Sequence, residues 1–280
     1  MPRLADPGTD RYSMAELMAV IIARAMAGEE EKRGGGGANQ VISLAAGRLA
    51  QLTVAPNLWL TTGGAGSVNG KFDRLPLGTW DPRCNAGAEC KNYMIDVVDT
   101  RLQGIKYTRM NQASMAGLGG LQVDKYGNIN MIGIGGPHPR LKVRGPGAVG
   151  SLWLGANPTS NIVEHHNVRV FVEKVDYRSG AGWLDGGDSR HRMLDGRDGP
   201  PFCWTPISVC DFTEDEHRMR LVSVHPGYTV ADMVANTGFA LAIPDHVPTT
   251  TPPTDWELDM LRGRVDRDGQ LRRRRVTVGL

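Results

Sequence analysis

Gly117-Leu-Gly-Gly-Leu-Gln-Val-Asp-Lys-Tyr-Gly-Asn-Ile-Asn130 reads as strand, turn, strand. Tyr126-Gly127-Asn128 makes the turn, and Gln122 emerges beside backbone glycines. Shortly after it, Leu141-Lys-Val-Arg-Gly-Pro-Gly-Ala-Val-Gly150 leaves a stretch of backbone bare. Glycine and alanine at such a place let amide N–H groups approach an oxyanion or a phosphate. Taken singly, each glycine cluster reads as a tight turn between strands. Upstream, Asn57-Leu-Trp-Leu-Thr-Thr-Gly-Gly-Ala-Gly66 is an apolar strand ending in a glycine-rich turn. A loop of that kind faces a ligand at the carboxyl end of a strand.

The flanking sequence alternates short apolar strands with helical stretches. Ser13, with Glu16 three residues on, opens an amphipathic helix running to about Ala27. Gly34–Gly37 reads as a flexible turn, and no Gly-Lys-Ser/Thr follows it at P-loop spacing. Asn39–Leu52 has helical periodicity with small residues. Leu58-Trp-Leu60, Asp96–Val98, Gly119–Val123, Val168–Val172, Ser208–Val209 and Arg220–Val224 read as strands. Thr229 caps a helix over Val230–Asn236. Thr249–Thr254 is a rigid, exposed connector, and Thr254-Asp-Trp-Glu257 opens a last helix with Leu258, Leu261 and Val265 on one side. The pattern predicts an α/β fold, an open and largely parallel sheet. Residues 1–12 form a flexible lead-in, 13–270 a single α/β domain and 271–280 a basic tail.

With 280 residues the chain can bury a sizeable core. Its net charge of only +2 argues against a nucleic-acid partner or a membrane surface. Arg272–Arg275 reads as a solvated end or a subunit contact rather than a nucleic-acid site. No apolar run approaches a membrane span of about 20 residues. The N-terminus lacks the apolar core of a secretion signal. Cys84, Cys90, Cys203 and Cys210 show no Cys-x-x-Cys spacing and read as free thiols. A cytoplasmic location is expected.

Leu118-Gly119-Gly120-Leu121-Gln122-Val123 with Gly127-Asn128, followed by Gly145-Pro146-Gly147-Ala148, resembles the β subunit of class I coenzyme A transferases of the glutaconate type. The second loop has one glycine fewer than the family pattern. Arg169-Val-Phe-Val-Glu-Lys-Val-Asp-Tyr-Arg-Ser-Gly-Ala-Gly-Trp183 is more similar to a subgroup, the β subunits of steroid ring-opening acyl-CoA hydrolases. Val209–Phe212, His217–Arg220, Ser223–Gly227 and Pro253–Leu258 continue that likeness, which covers roughly Met14 to Asp266.

The resemblance implies an open α/β sheet of the transferase β-subunit type and an active site shared with an α subunit. It implies an acyl-CoA substrate, with coenzyme A present as part of it and no cofactor bound permanently. Gly147 and Ala148 would offer backbone donors near the thioester, with Gln122 close by. Gly63, Gly64, Gly119, Gly120 and Asn69 would line the substrate pocket. The family's catalytic glutamate belongs at the start of the Gly63–Gly66 loop, yet Gly64 stands there. A transferase uses that glutamate for covalent catalysis through an anhydride and a glutamyl-CoA thioester. Without it, water becomes the attacker, and the resemblance implies a general-base glutamate on the α subunit. Hydrolytic opening of a ring in a steroid-derived cyclic keto acyl-CoA is therefore expected. The alternatives are a true CoA transferase, moving CoA between an acyl-CoA and a carboxylic acid, and a non-catalytic subunit completing a partner's site.

Other candidates have plainer readings. Glu164-His165-His166 lies on a strand that sends the two histidines to opposite faces, so no metal site is expected. His138 reads as an exposed turn residue, and His217 and His225 read as structural. Asp211, Asp215 and His217 have no Gly-x-Ser-x-Gly nucleophile to serve. One of Glu173 and Asp176 is a salt-bridge or interface residue. Trp183 and Trp204 either wall a bulky substrate or pack the core. Asn69 and Arg74 either orient a carboxylate or are loop polarity.

Overall fold

The computed structural model of the chain describes residues 10–28, 35–38, 40–62, 67–68, 74–77, 81, 91–92, 119–148, 151, 155 and 158–280. They belong to two compact units. One is built from Gly8–Gly117 and Pro252–Arg275, the other on Leu118–Thr251 and Val276–Leu280.

In the first unit, helix α1 (Met14–Ala25) starts where Ser13 Oγ accepts from Glu16 N at 3.2 Å. In return, Glu16 Oε2 accepts from Ser13 N at 2.8 Å. The expected amphipathic helix is in fact buried all round, from Met14 to Ala23. A helix apolar on every side belongs in an interior. Its one acid, Glu16, accepts from Arg262 Nε at 2.8 Å, which offsets the cost of burying a carboxylate.

The glycine run expected as a turn is a strand, β1 (Gly35–Ala38). Glycine carries no strand preference, so only pairing with a distant segment creates this element. Helix α2 (Val41–Leu52) follows and packs on α1, burying Ala45, Ala46, Gly47 and Ala50. Strand β2 (Trp59–Thr62) lies parallel to β1, with Gly36 opposite Leu60. Strands β3 (Ser67–Val68) and β4 (Lys91–Asn92) extend the sheet antiparallel, in the order β1-β2-β3-β4. Asp96–Val98 lies outside the described residues.

The second unit opens with a hairpin of β5 (Gln122–Asp124) and β6 (Ile129–Asn130). A smaller hairpin of β7 (Gly133–Ile134) and β8 (Val143–Arg144) follows. Then come β9 (Asn161–Ile162), β10 (His165–His166) and β11 (Phe171–Val172), the last parallel to β5. After the short helix α3 (Ser189–Met193), β12 (Cys203–Trp204) runs parallel to β9. Strands β13 (Ser208–Phe212) and β14 (Met219–Val224) complete a sheet of order β14-β13-β12-β9. Parallel ladders join strands distant in sequence, whereas antiparallel ladders join neighbours, as an α/β chain requires. Helix α4 (Val230–Ala235) is capped by Thr229, as expected. Val123, Ile129, Phe171, Trp183, Leu221 and Met233 lie in the core of this unit.

The segment Thr249–Thr254 is less exposed than its composition predicts. Thr250 is buried, its hydroxyl bridging Ser223 Oγ at 2.7 Å and His225 Nδ1 at 2.9 Å. Helix α5 (Asp255–Arg264) returns to the first unit, with Leu258, Leu261 and its neighbour Val265 buried. Its Glu257 both caps the helix and takes Arg24 Nε at 2.7 Å and Nη2 at 2.6 Å. That bidentate guanidinium pulls the Glu257 carboxyl down to about 2. Helix α6 (Gln270–Arg273) begins the basic run, which leads into β15 (Thr277–Val278), parallel to β10 with Val278 buried.

Cys203 and Cys210 are buried, unbridged and opposite one another across β12 and β13. Burial pushes both thiols up, Cys210 to about 12, so they stay protonated and inert. Cys84 and Cys90 lie outside the described residues. Among the described residues, no helix is long and apolar enough to cross a membrane.

Candidate functional site

The β5–β6 turn is built on one carboxylate. Asp124 Oδ1 accepts from Tyr126 N, Asn128 N and Asn128 Nδ2, each at 3.0 Å. Burial raises the Asp124 carboxyl, and the Asn128 and Tyr126 donors pull it back. Gly127 adopts φ +71° there, and a Cβ would strike Phe212 Cζ at 2.8 Å. Asn128 continues outward, donating to Leu184 O at 2.7 Å and accepting from Gly182 N at 2.9 Å.

Gln122 sits beneath this turn, buried, with its amide engaged at both ends. Its Oε1 accepts from Asn130 Nδ2 at 2.7 Å and Asp176 N at 3.0 Å, and its Nε2 donates to Asp176 Oδ1 at 3.3 Å. Asn130 also donates to Gly133 O at 2.8 Å and accepts from Ile132 N at 2.9 Å. A closed network of this kind fixes the strands that carry it. Gln122→Ala leaves the Asp176 amide unpaired and removes an acceptor from Asn130. The expected cost is about 2–4 kcal/mol, at about 1–3 kcal/mol per orphaned buried group. Thermal melts read it. An unchanged melting temperature with lost turnover would instead give Gln122 a role on the substrate.

The second glycine loop packs onto the end of β6. Gly145 N donates to Ile132 O at 2.8 Å and Gly147 N to Met131 O at 3.1 Å. A side chain at Gly145 would overlap the Met131 carbonyl oxygen. Gly147 differs, with φ +91° and no atom of the described residues within 4 Å of where its Cβ would lie. Its glycine is needed for conformation. The Gly147 N–H is thus already engaged. The Ala148 carbonyl accepts from Ser151 N at 2.8 Å and so turns the chain.

The structure thus brings Gly120, Gln122, Gly147 and Ala148 around Asn130 and Met131. Gly119 is half-buried just ahead of them. A Cβ on Gly120 would overlap Ile129 Cγ2 and lie 3.0 Å from Asn130 O, so strand packing alone demands glycine there. Gly63, Gly64 and Asn69 lie outside the described residues. Arg74 faces Asp268 at 3.9 Å. Sequence reasoning missed Asn130 and Ser179, and it gave Asp176 no link to Gln122. Ser179 Oγ accepts from Met131 N at 2.9 Å. The available signal was a pair of asparagines two apart, Asn128 in the turn and Asn130 on β6, and both are fully buried.

The remaining candidates settle into structural roles. His165 is exposed and His166 buried, the alternation expected of a strand. His166 stacks on Phe171 with ring centroids 3.9 Å apart. Glu173 pairs with Lys125, and Asp211 takes Arg220 Nη2 at 2.7 Å. Trp183 is core, its Nε1 donating to Pro200 O at 3.1 Å and its ring stacked on His217 at 3.7 Å. Trp204 is buried, its ring tilted against Phe202 at 5.0 Å. Among the described residues, no group of three or more His, Cys, Asp or Glu could hold a metal.

Buried side-chain amides back the Gly145–Ala148 loop of this α/β protein. The coenzyme A transferase family model matches residues 49–236, and the chain belongs to that family. It is 30% identical over 253 residues to the B-type subunit of 3-oxoadipate CoA-transferase from Pseudomonas knackmussii, covering 90% of this chain and 92% of that one. It is 34% identical over 239 residues to the cholesterol ring-cleaving hydrolase IpdB subunit of Mycobacterium tuberculosis, covering 80% and 86%. The solved glutaconate coenzyme A-transferase of Acidaminococcus fermentans matches with a TM-score of 0.82 at 26% identity, covering 94% of this chain and 98% of that one. The family and α/β class read from the sequence therefore hold.

Proposed function

We propose that this chain is the β subunit of a heteromeric, CoA-transferase-like hydrolase that opens a ring in a cyclic keto acyl-CoA, steroid-derived in the first instance. The observation that supports the reading most is Gly64, a glycine where the resemblance puts the family's glutamate nucleophile. Likeness to the IpdB subunit supports it. A glutamate of the α subunit deprotonates water, and the hydroxide adds to the ring ketone. The adjacent ring C–C bond breaks toward the thioester, leaving a new carboxylic acid and a thioester enolate. The proton taken from water returns to the enolate carbon, so the net change is the addition of one water. The Ala148 amide is the donor on this chain assigned to the enolate oxygen. Coenzyme A enters only as part of the substrate.

A transferase reading is favoured by the 30% identity to the corresponding subunit of the 3-oxoadipate enzyme. Turnover by the assembled complex in oxygen-18 water separates the two. Hydrolysis places the label in the new carboxylate and leaves no glutamate open to hydroxylamine or borohydride. Acyl-CoA-dependent trapping of an enzyme-bound CoA thioester would sink the hydrolase reading.

A further inference from the structure

No Asp or Glu occurs between Asp124 and Glu164, and within that stretch Arg140, Lys142 and Arg144 crowd onto one hairpin. All three are exposed. Elsewhere in the same unit Arg178 pairs with Asp185 at 2.6 Å, Arg218 with Glu216 at 3.5 Å and Arg220 with Asp211 at 2.7 Å, while the exposed Arg169 and Lys174 stand singly without an ion pair among the described residues. Among the described residues, none of the three hairpin cations has a carboxylate within ion-pair distance. Three like charges held together cost energy, and no carboxylate among the described residues sits close enough to offset it.

The hairpin that holds them is anchored. Asp176 Oδ2 accepts from Gly135 N at 2.8 Å, and Tyr177 OH donates to Gly136 O at 2.6 Å. Lys142 N donates to Ile134 O at 3.1 Å, and Gly133 pairs with Arg144. The Lys142 stem lies along Gly135, where a Cβ would meet Lys142 Cδ at 3.0 Å, so the ammonium projects from a fixed base. Arg144 is followed directly by the Gly145–Ala148 loop.

We propose that Arg140, Lys142 and Arg144 grip the phosphate groups of the coenzyme A portion of the substrate, while the adjoining glycine loop receives the thioester. The inference rests on the acyl-CoA reading above and assigns these residues to substrate affinity. Guanidinium groups suit this task because they meet phosphate oxygens with two parallel N–H donors. Discrimination for a coenzyme A thioester over the same acyl group on a short thiol thus comes largely from this hairpin.

The test uses the assembled complex with Arg140, Lys142 and Arg144 all changed to Gln. KM is compared for the CoA thioester and the matching N-acetylcysteamine thioester, which has no phosphate. Calorimetry with free coenzyme A is run across a salt series. The CoA-thioester KM is expected to rise about tenfold or more, the parent's preference for CoA to collapse, and the salt dependence to flatten. Arg169→Gln, an exposed control, removes one charge away from the hairpin. An unchanged CoA KM and salt slope would overturn the inference. So would equal losses on both thioesters, or loss of assembly in gel filtration, which would give the hairpin to the α subunit. If the parent complex neither binds coenzyme A nor turns over any thioester, the functional reading itself fails, seen before any variant is made.

Discussion

Gly182→Ala is expected to cost about 4 kcal/mol or more, enough to leave the chain insoluble or to lower its melting temperature by about 10 °C. The reason is a backbone-on-backbone contact. A Cβ at Gly182 would overlap the Gly127 carbonyl carbon, the Asn128 nitrogen and the Tyr126 oxygen, none of which can rotate aside. Around that point Gly182 N donates to Asn128 Oδ1 at 2.9 Å, and Trp183 N donates to Tyr126 O at 2.7 Å. The Gly182 carbonyl accepts from the buried Arg190 Nη1 at 2.7 Å. Moving the hairpin to admit a methyl breaks several of these bonds and displaces Gln122 and Asn130 with them. Gly187→Ala is the comparison: φ is +48° and nothing among the described residues lies within 4 Å, so left-handed strain of about 1 kcal/mol applies. Melting both variants decides it. A Gly182→Ala shift no larger than that of Gly187→Ala would mean the two segments are not packed as described.

Gly182 also shows how much was readable beforehand. The Ser-Gly-Ala-Gly-Trp183 motif was visible as a resemblance, but its physical purpose was not, because the partner backbone lies far away in sequence. Local signals served well: the Ser13, Thr229 and Thr254 caps and the Tyr126-Gly-Asn turn all lie where side-chain chemistry placed them. Signals that depend on distant pairing failed. The strand at Gly35–Ala38 exists only because Trp59–Thr62 lies beside it. Gln122 was legible only as a residue emerging beside glycines, whereas the structure buries it. Its partner Asp176 was not, since their contact spans 54 residues of sequence. The candidate site was therefore half legible: its loops announced themselves, and the network that stiffens them did not.

Acid should unfold this chain well before its carboxylates titrate. His166 and His225 are fully buried, and burial pushes them down to about 3 and about 4 from an ordinary 6.5. Burial holds both neutral, and the bonds they make fix which ring nitrogen carries the proton. His225 Nε2 donates to Thr205 O at 2.9 Å, while its Nδ1 accepts from Thr250 Oγ1 at 2.9 Å, and Ser223 Oγ donates to that hydroxyl. A proton on Nδ1 would face the Thr250 hydroxyl's hydrogen. Thr237 Oγ1 donates to Met233 O, so His166 Nε2 must donate to Thr237; His166 Nδ1 finds no partner among the described residues.

The unfolded chain takes up protons at these positions below pH 6.5, and the folded chain does not. Stability is therefore intact above pH 6.5 and falls by about 1.4 kcal/mol per pH unit for each histidine below it. By pH 4.5 the two together remove about 5 kcal/mol, a large share of the ordinary stability of a folded chain. His217, also lowered by burial, adds in the same direction. Asp124 and Asp266, raised by burial, act oppositely, and Glu257 adds its loss only below its ordinary 4.5. Between pH 6.5 and 5 the histidines therefore dominate. Urea midpoints across that interval should fall steeply in the parent, and the slope should drop by more than half in a His166→Leu, His225→Gln double variant. A parent midpoint that stays level from pH 6.5 to 5 would mean water reaches both imidazoles in the folded state.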